Sequence, residues 1–347
     1  MSEIGSVGVI GAGNFGTVVA NLLAENQHVY LYTRSEEQAV KMLEERVHQD
    51  QALHENITPT SNLPLLAQSC HLLFPVVPSQ NFKEMIRGLS PYLKPDHIMI
   101  HGTKGLAVRK KGERSLSKYG MLQREHVLTM SELIKKESVV VRIGCLAGPN
   151  LSKEMAKGLP AAAVLASKFD EVIEEGQQAL KSNRFHVYGG YDIFGIELAG
   201  VLKNILAIGS GVVSGLGFGE NSRAMLITKG LSEIIHLAKA MGADVSSFLG
   251  LAGIGDIIAT CSSPTSRNYT VGYRLAKGES FEQIMSTMEE TAEGVNTIRI
   301  ANGLVNHFNI NCPIISTLYK CIYEDFSIES ALQFLLNYRF SMDVDFL

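Results

Sequence analysis

The sequence has few cysteines, and they are not arranged in pairs. None of the five belongs to a Cys-x-x-Cys motif. Disulfide frameworks and structural zinc sites need closely spaced, paired cysteines. We therefore predict reduced, mostly buried thiols in a cytoplasmic protein that has no metal site. The cysteines are Cys70, Cys145, Cys261, Cys312 and Cys321.

The chain also lacks a strong excess of charge of either sign. Its formal net charge is −4, and acidic and basic residues are interspersed. Binding to nucleic acid or to an anionic membrane would require a basic surface patch, so we expect neither as the main partner. Hydrophobic residues make up 46% of the chain, which is enough for a sizeable core and excludes wholesale disorder.

Signals for export or membrane insertion are missing or weak. The N-terminus lacks the basic segment, apolar run and small-residue cleavage site of a signal peptide. Residues 193–216 are apolar enough to cross a membrane, but they include Glu197, Lys203 and five glycines. We predict a helix buried in protein there, and no stable membrane insertion.

The two halves of the chain differ in their periodicity. Up to about residue 189, short β-branched runs alternate with amphipathic helical patterns, which is typical of an α/β domain with a doubly wound parallel sheet. Beyond it the pattern is helical throughout, so we predict an α/β domain over 1–188 and an all-α domain over 189–347. The predicted strands are 6–10, 28–32, 71–77, 97–101, 139–147, 162–166 and 185–188.

A glycine-rich turn follows the first predicted strand. It reads Gly11-Ala12-Gly13-Asn14-Phe15-Gly16 and leads directly into a helical pattern. In this strand–turn–helix context the three glycines allow a tight turn, close approach of a pyrophosphate, and packing of the helix on the strand. The free N–H groups at the helix N-terminus attract the negative charge. The pattern predicts a Rossmann-type dinucleotide site.

The end of the second predicted strand indicates which dinucleotide binds. A site for NAD usually has an acidic residue there to hold the ribose 2′-hydroxyl, whereas this chain has Arg34. A guanidinium can pair with a 2′-phosphate, which favours NADPH over NADH. The alternative is that Arg34 stacks on the adenine and tolerates both cofactors.

Two charged residues interrupt apolar runs in the second half. Lys203 lies in a helical pattern that is apolar nearly all round, and Asp256 is the only charge in residues 248–260. A buried ammonium suits proton transfer to a reacting oxygen. The alternatives are that Lys203 pairs with a buried acid in a structural role, and that Asp256 is the N-cap of a short helix.

Two polar segments could bind an anion. Ser266-Arg267-Asn268 offers hydroxyl, guanidinium and amide donors at a predicted helix start, which suits a phosphate or a carboxylate. Gly148-Pro149-Asn150 lies at the carboxyl end of a predicted strand, where open α/β sheets bind ligands. Either segment could equally be a plain turn.

Together these motifs resemble the bacterial-type NAD(P)-dependent glycerol-3-phosphate dehydrogenases over nearly the whole chain. The most specific are Leu202-Lys203-Asn204, Gly253-Ile254-Gly255-Asp256 and Ser266-Arg267-Asn268, which occur together in one predicted helical domain. The others include Thr103-Lys104-Gly105, Gly148-Pro149-Asn150 with Ser152, and Glu293-Gly294-Val295.

The resemblance implies a role for each matching residue. Lys203 would be the general acid and base, oriented by Asp256 and Asn204, which would also hold substrate hydroxyls. Lys104 would contact both substrate and cofactor. Ser266, Arg267 and Asn268 would bind the substrate phosphate, with Arg267 also near the cofactor. The further contacts would be Gly148, Asn150 and Ser152 along substrate and nicotinamide, and Gly11, Gly13, Asn14, Phe15, Gly16, Arg34, Thr291 and Glu293 around the cofactor.

The implied reaction interconverts dihydroxyacetone phosphate and sn-glycerol 3-phosphate with NADPH or NADH. Its product would supply glycerophospholipid synthesis, and the family resemblance suggests a homodimer. One alternative is a related two-domain hydroxy-acid dehydrogenase, which would bind a carboxylate in place of the phosphate. Another is a dinucleotide sensor without catalysis, which would usually lose the lysine that this chain retains.

Overall fold

The computed structural model describes residues 5–109, 122–288, 292–339 and 342–343. The chain forms two compact units. The first comprises Met1–Ala107 and Thr129–Glu197, and the second comprises Val108–Leu128 and Leu198–Leu347.

Short strands and helices are interspersed up to about residue 190, and helices follow one another after it. The strands are β1 Ser6–Ile10, β2 Val29–Tyr32, β3 Val47–His48, β4 Gln51–Ala52, β5 Ile57–Thr60, β6 Cys70–Pro75, β7 Ile98–His101, β8 Ala107–Val108, β9 Val127–Leu128, β10 Arg142–Ala147, β11 Ala161–Ser167 and β12 Phe185–Gly190. The helices up to residue 215 are α1 Asn14–Ala24, α2 Glu36–Glu45, α3 Leu63–Ser69, α4 Ser79–Leu89, α5 Met130–Glu137, α6 Ser152–Met155, α7 Asp170–Ala179 and α8 Ile193–Gly215. The later helices are α9 Glu220–Met241, α10 Ser246–Leu249, α11 Asp256–Ser262, α12 Arg267–Ala276, α13 Phe281–Thr287, α14 Glu293–Phe308, α15 Pro313–Tyr323 and α16 Ile328–Asn337.

An eight-stranded sheet organises the first unit. Its strand order is β12-β11-β10-β7-β6-β1-β2-β5, and β1 pairs in parallel with both β2 and β6. The central strands are almost continuously apolar and buried, as parallel strands must be when both faces are covered. Val9, Leu31 and Phe74 are buried in this core. The predicted α/β architecture is confirmed, and all seven predicted strands form.

One pair of strands departs from the parallel arrangement of the sheet. Strand β11 pairs antiparallel with β10, and β12 then runs parallel to β11. A parallel crossover usually needs a full helix between the strands, whereas the connection from β10 to β11 contains only the one-turn helix α6. The chain therefore turns back beside β10 instead of crossing over the sheet.

Apart from β9 and the last residue of β8, the described elements of the second unit are helices. Within the described part of residues 198–347 every element is a helix, which agrees with the predicted all-α half. Helix α8 is long and apolar enough to cross a membrane, but 89% of its most apolar 18-residue window is buried inside the protein. This burial agrees with the prediction of a helix packed in protein.

A buried carboxylate from another helix caps the N-terminus of helix α15. Glu233 of α9 is 3% exposed, and its two oxygens accept the backbone N–H groups of Ile314 (2.7 Å) and Ile315 (3.0 Å). Burial raises the pKa of Glu233 to about 8, although both N–H groups favour the ionised form. The side chain thus satisfies helix-terminal amides that would otherwise lack acceptors.

The cysteines are free thiols, as predicted, and four of the five are buried. Burial raises the pKa of Cys70 to about 12. A thiol with so high a pKa stays protonated near neutral pH and is a poor nucleophile.

Candidate active site

The glycine-rich turn connects β1 to α1. Gly11 has a φ of +118°, and a Cβ there would approach the carbonyl oxygen of Val76 to 2.9 Å. A Cβ on Gly16 would lie 1.8 Å from the carbonyl oxygen of Gly11, so α1 can pack on β1 only with glycine at that position. A Cβ on Gly13, in contrast, meets nothing within 4 Å.

The open space at Gly13 fits a bound pyrophosphate. Gly13 is the N-cap of α1, and Asn14 and Phe15 are its first two residues. Their N–H groups precede the first intrahelical hydrogen bond, and the helix dipole adds positive potential there. The turn therefore has the shape and the donors that a dinucleotide needs, and nothing in the described first unit fills the place of the missing Cβ.

The carboxyl ends of the parallel strands bring other predicted residues to the same edge of the sheet. Lys104 follows β7 and Gly148 follows the neighbouring strand β10, and the Lys104 ammonium donates a hydrogen bond to the Gly148 carbonyl (3.1 Å). Phe15 contacts Gly102, two residues before Lys104, where an added Cβ would lie 2.8 Å from the ring. Arg34 follows β2 at this edge and is exposed.

Asn150 has a buried side chain with unused hydrogen-bonding capacity. Both atoms of its amide, Oδ1 and Nδ2, are buried without a hydrogen-bond partner in the part of the chain that the structure describes. An unpaired buried amide is costly, and a bound ligand would provide the missing partner. Ser152, two residues later, is the first residue of α6.

In the second unit, Lys203 and Asp256 form a buried ion pair. The Lys203 ammonium lies 2.7 Å from Asp256 Oδ1, and both side chains are at most 5% exposed. The ammonium also donates to the Thr260 hydroxyl, which in turn donates to Asp256 Oδ1 (3.2 Å). The pairing of Lys203 with a buried acid is therefore observed. Asp256 is the first residue of α11 and Gly255 is its N-cap, so the N-cap alternative for Asp256 is wrong.

Sequence reasoning did not find Thr260. Thr260 follows Asp256 by four residues in α11, and residues at this spacing share a helix face. That spacing was the available signal, but threonine is common in helices without any functional role. Nearby Cys261 is buried, and burial raises its pKa to about 12, so this thiol stays protonated and is unsuited to act as a nucleophile.

A second cluster in this unit joins Asn204, Asn268 and the start of α14. The Asn268 side-chain oxygen accepts the Gly294 N–H (2.9 Å), and a Cβ on Gly294 would lie 2.9 Å from the Asn204 carbonyl oxygen. Glu293, the first residue of α14, is thereby anchored next to Asn268. This bond uses Oδ1 as an acceptor, so the two N–H donors of the Asn268 amide can still bind a ligand.

The predicted anion site lies at the N-terminus of helix α12. Ser266 is the N-cap, and its hydroxyl accepts the Tyr269 N–H (3.4 Å). Arg267 is the first helical residue and is exposed, whereas Asn268 is 8% exposed. Thr291, also predicted in the cofactor site, lies outside the described residues.

Family models match nearly the whole chain. The N-terminal model of the NAD-dependent glycerol-3-phosphate dehydrogenases matches residues 6–173, and the C-terminal model matches residues 192–333.

Individual proteins are similar over their full lengths. The NAD(P)+ glycerol-3-phosphate dehydrogenase of Teredinibacter turnerae is 38% identical, with 98% of this chain and 96% of that protein covered. The one of Ectopseudomonas mendocina is 37% identical, with 100% and 98% covered. The crystal structure of glycerol-3-phosphate dehydrogenase from Coxiella burnetii superimposes with a TM-score of 0.85 at 29% identity, covering 96% of this chain and 99% of that one.

Proposed function

The chain belongs to the NAD-dependent glycerol-3-phosphate dehydrogenase family, and we propose that it performs this family's reaction with Lys203 as general acid and base. It is an NAD(P)-dependent oxidoreductase that interconverts dihydroxyacetone phosphate and sn-glycerol 3-phosphate. The observation that carries the catalytic assignment is the buried contact of Lys203 with Asp256 and Thr260.

Lys203 moves the proton of the reaction. NADPH or NADH, when bound, supplies the hydride that adds to the ketone carbon of dihydroxyacetone phosphate. The Lys203 ammonium gives a proton to the carbonyl oxygen as negative charge develops there, and it recovers a proton in the reverse direction. Asp256 holds the ammonium in place and, together with Asn204, binds the substrate hydroxyls.

The phosphate of the substrate is bound at the start of α12. Ser266 and Arg267 supply hydroxyl and guanidinium donors, and Asn268 donates through the amide N–H groups that its bond to Gly294 leaves available. Lys104 contacts both substrate and cofactor. Binding the phosphate here contributes to turnover as well as affinity, because it orients the carbonyl for reaction.

The cofactor is bound by residues of both halves of the sequence. Arg34 pairs with the 2′-phosphate of NADPH, which makes NADPH the preferred cofactor. Gly148, Asn150 and Ser152 lie along the substrate and nicotinamide. The remaining cofactor residues are Gly11, Gly13, Asn14, Phe15, Gly16, Lys104, Arg267, Thr291 and Glu293.

The family resemblance supports the following proposal for domain organisation, assembly and cellular role. Residues 1–188 form the dinucleotide-binding domain and 189–347 the helical substrate domain. The enzyme acts as a homodimer in the cytoplasm and supplies glycerol 3-phosphate for glycerophospholipid synthesis.

Two rate comparisons test this function. NADPH oxidation should be fast with dihydroxyacetone phosphate and at least about 100-fold slower with unphosphorylated dihydroxyacetone, which cannot use the donors of α12. Lys203→Ala should lower kcat by roughly 100- to 10,000-fold, the usual contribution of a general acid.

A surface lysine provides the control for the second comparison. Lys239 is exposed on α9, so Lys239→Ala should keep wild-type kcat. Equal rates on the two ketones would refute the phosphate assignment. An unchanged kcat in Lys203→Ala would refute the catalytic role of Lys203.

A further inference from the structure

A tight β-hairpin lies between α2 and β5. Strands β3 and β4 pair antiparallel with Val47 opposite Ala52 and His48 opposite Gln51, so only Gln49 and Asp50 form the turn. Both turn residues have positive φ, +51° and +56°. Turns of this kind favour asparagine and glycine, and the side chains present at these two positions make the conformation strained. We call residues 47–52 the hairpin.

The last cross-strand pair of the hairpin contacts the glycine-rich turn. The His48 ring nitrogen Nε2 lies 2.7 Å from the carbonyl oxygen of Ala12, and Gln51 Nε2 donates to the carbonyl oxygen of Asn14 (3.3 Å). A carbonyl oxygen only accepts, so the imidazole carries its proton on Nε2 and donates it. Directly opposed residues on a hairpin project to the same face, which explains why both side chains reach the same turn.

These two carbonyls belong to the peptide groups that present N–H groups at the turn. The Ala12 carbonyl shares its peptide plane with the N–H of Gly13, and the Asn14 carbonyl shares its plane with the N–H of Phe15. In a trans peptide the C=O and N–H bonds point in opposite directions. A donor that fixes the carbonyl therefore fixes the direction of the N–H, and it also polarises the peptide so that the N–H becomes a stronger donor.

We propose that the hairpin is a brace for the dinucleotide turn, with His48 and Gln51 as positioning residues that aim the Gly13 and Phe15 N–H groups at the pyrophosphate of NADPH or NADH. The inference rests on the proposed function only in taking the turn as the dinucleotide site. Neither side chain touches the cofactor. Both act through the backbone of the turn.

The strain in the hairpin supports this role. A longer loop could relax Gln49 and Asp50, but it would give up the register that places His48 directly opposite Gln51. Strained backbone of this kind persists where the surrounding structure holds it, and it concentrates at functional sites.

Equilibrium binding of NADPH, measured by its fluorescence without substrate, tests whether His48 and Gln51 position the glycine-rich turn. His48→Leu should raise the Kd about 3- to 10-fold, the effect of losing one net hydrogen bond. His48→Gln should restore the Kd to within about twofold, because its amide places an N–H donor near the same position. The KM for dihydroxyacetone phosphate at saturating NADPH should stay unchanged in both variants.

His54→Leu is the matched control. His54 lies just beyond the hairpin, and its ring is turned to the Asn56 N–H, which it accepts at 3.2 Å, so NADPH binding should keep its wild-type Kd. Gln51→Leu, which removes the longer bond, should raise the Kd about 2- to 3-fold, and it carries the test if His48→Leu does not fold.

The possible outcomes distinguish a failure of the proposed hairpin role from a failure of the proposed function. An unchanged Kd in folded His48→Leu, or an equal rise in His54→Leu, overturns the brace while leaving the cofactor assignment intact. An unchanged Kd in Gln51→Leu where His48→Leu does not fold has the same meaning. A wild-type protein that binds neither NADPH nor NADH overturns both.

Discussion

The ammonium group of Lys203 has two partners on one helix, because Asp256 and Thr260 lie one turn apart. A buried cation is costly unless it is paired, and removal of its partner would leave an uncompensated charge. The ion pair therefore stabilises the buried ammonium, and in the proposed mechanism it also has a catalytic use. The same contact that makes Lys203 tolerable in an apolar helix also holds it in a defined position, which the proposed proton transfer requires.

At the scale of a single side chain, the proposed function assigns the choice of cofactor to Arg34. We expect Arg34→Ala to raise the KM for NADPH about tenfold and to change the KM for NADH by less than about twofold, because only NADPH offers a 2′-phosphate to the guanidinium. Steady-state kinetics with each cofactor at saturating dihydroxyacetone phosphate measures both values.

Arg87→Ala is the matched control for this prediction. Arg87 is an exposed arginine of α4 that pairs with Glu137, so its loss should leave both KM values unchanged. If Arg34→Ala raised the two KM values equally, the guanidinium would be stacking on the adenine that both cofactors share.

The sequence alone identifies some residues of the candidate site better than others. Lys203 and Asp256 stand out because each is a charge in an apolar run. Thr260 carries no such signal, although it touches both. His48 and Gln51 are ordinary polar residues in sequence, and their role depends on a hairpin register and on contacts with a turn more than 30 positions earlier. Local patterns do not encode such long-range backbone contacts.

At the scale of elements, helices α8 and α12 pack with their backbones in contact. A Cβ on Gly272 of α12 would lie 1.8 Å from the carbonyl oxygen of Ile208, and a Cβ on Gly211 of α8 would lie 2.0 Å from the carbonyl oxygen of Tyr269. These helices carry Lys203 and the Ser266–Asn268 segment. The close crossing therefore sets the distance between the proposed proton donor and the proposed phosphate site.

Gly272→Ala should separate the two helices. We expect it to destabilise the protein by about 1–3 kcal/mol, because backbone atoms cannot move aside as a side chain would. Urea unfolding followed by circular dichroism measures the change.

Gly88→Ala makes the same substitution in a helix that has room for it. The nearest atom to a Cβ on Gly88 is 3.8 Å away, so this variant should gain roughly 0.5–1 kcal/mol from reduced backbone freedom in the unfolded chain. Similar unfolding midpoints for the two variants would show that the crossing is not tight.

Elements are predicted best where one pattern is long and regular. The apolar strands and helix α8 follow directly from their sequences. Strand β5 was not predicted, since it is short and contains Pro59, a residue that sheets tolerate at an edge, which is where β5 lies. The antiparallel direction of β11 depends on the length of the connection from β10 and on which strands pair. Hydrophobic periodicity indicates neither of these.

At the scale of the whole molecule, composition excludes some classes of function but does not identify one. A net charge of −4 and an apolar fraction of 46% fit many soluble enzymes equally well. The assignment to one reaction comes from motifs spread over the chain, which no average property reveals. Cofactor binding, by contrast, has a consequence for the stability of the molecule as a whole.

NADPH should stabilise the folded protein by mass action. A ligand at about 100 times its Kd adds about 2.7 kcal/mol to the free energy of unfolding, so the Tm should rise by several degrees. Lys203→Ala should keep this rise, because the role proposed for Lys203 is in proton transfer and not in cofactor binding at the glycine-rich turn. Gly13→Val should lose it, since its side chain occupies the open space that the pyrophosphate needs. The backbone at Gly13 has a φ of −81°, which valine can adopt, so the Tm of this variant without NADPH should match the wild type. A full NADPH-dependent rise in Gly13→Val would place the cofactor elsewhere in the protein.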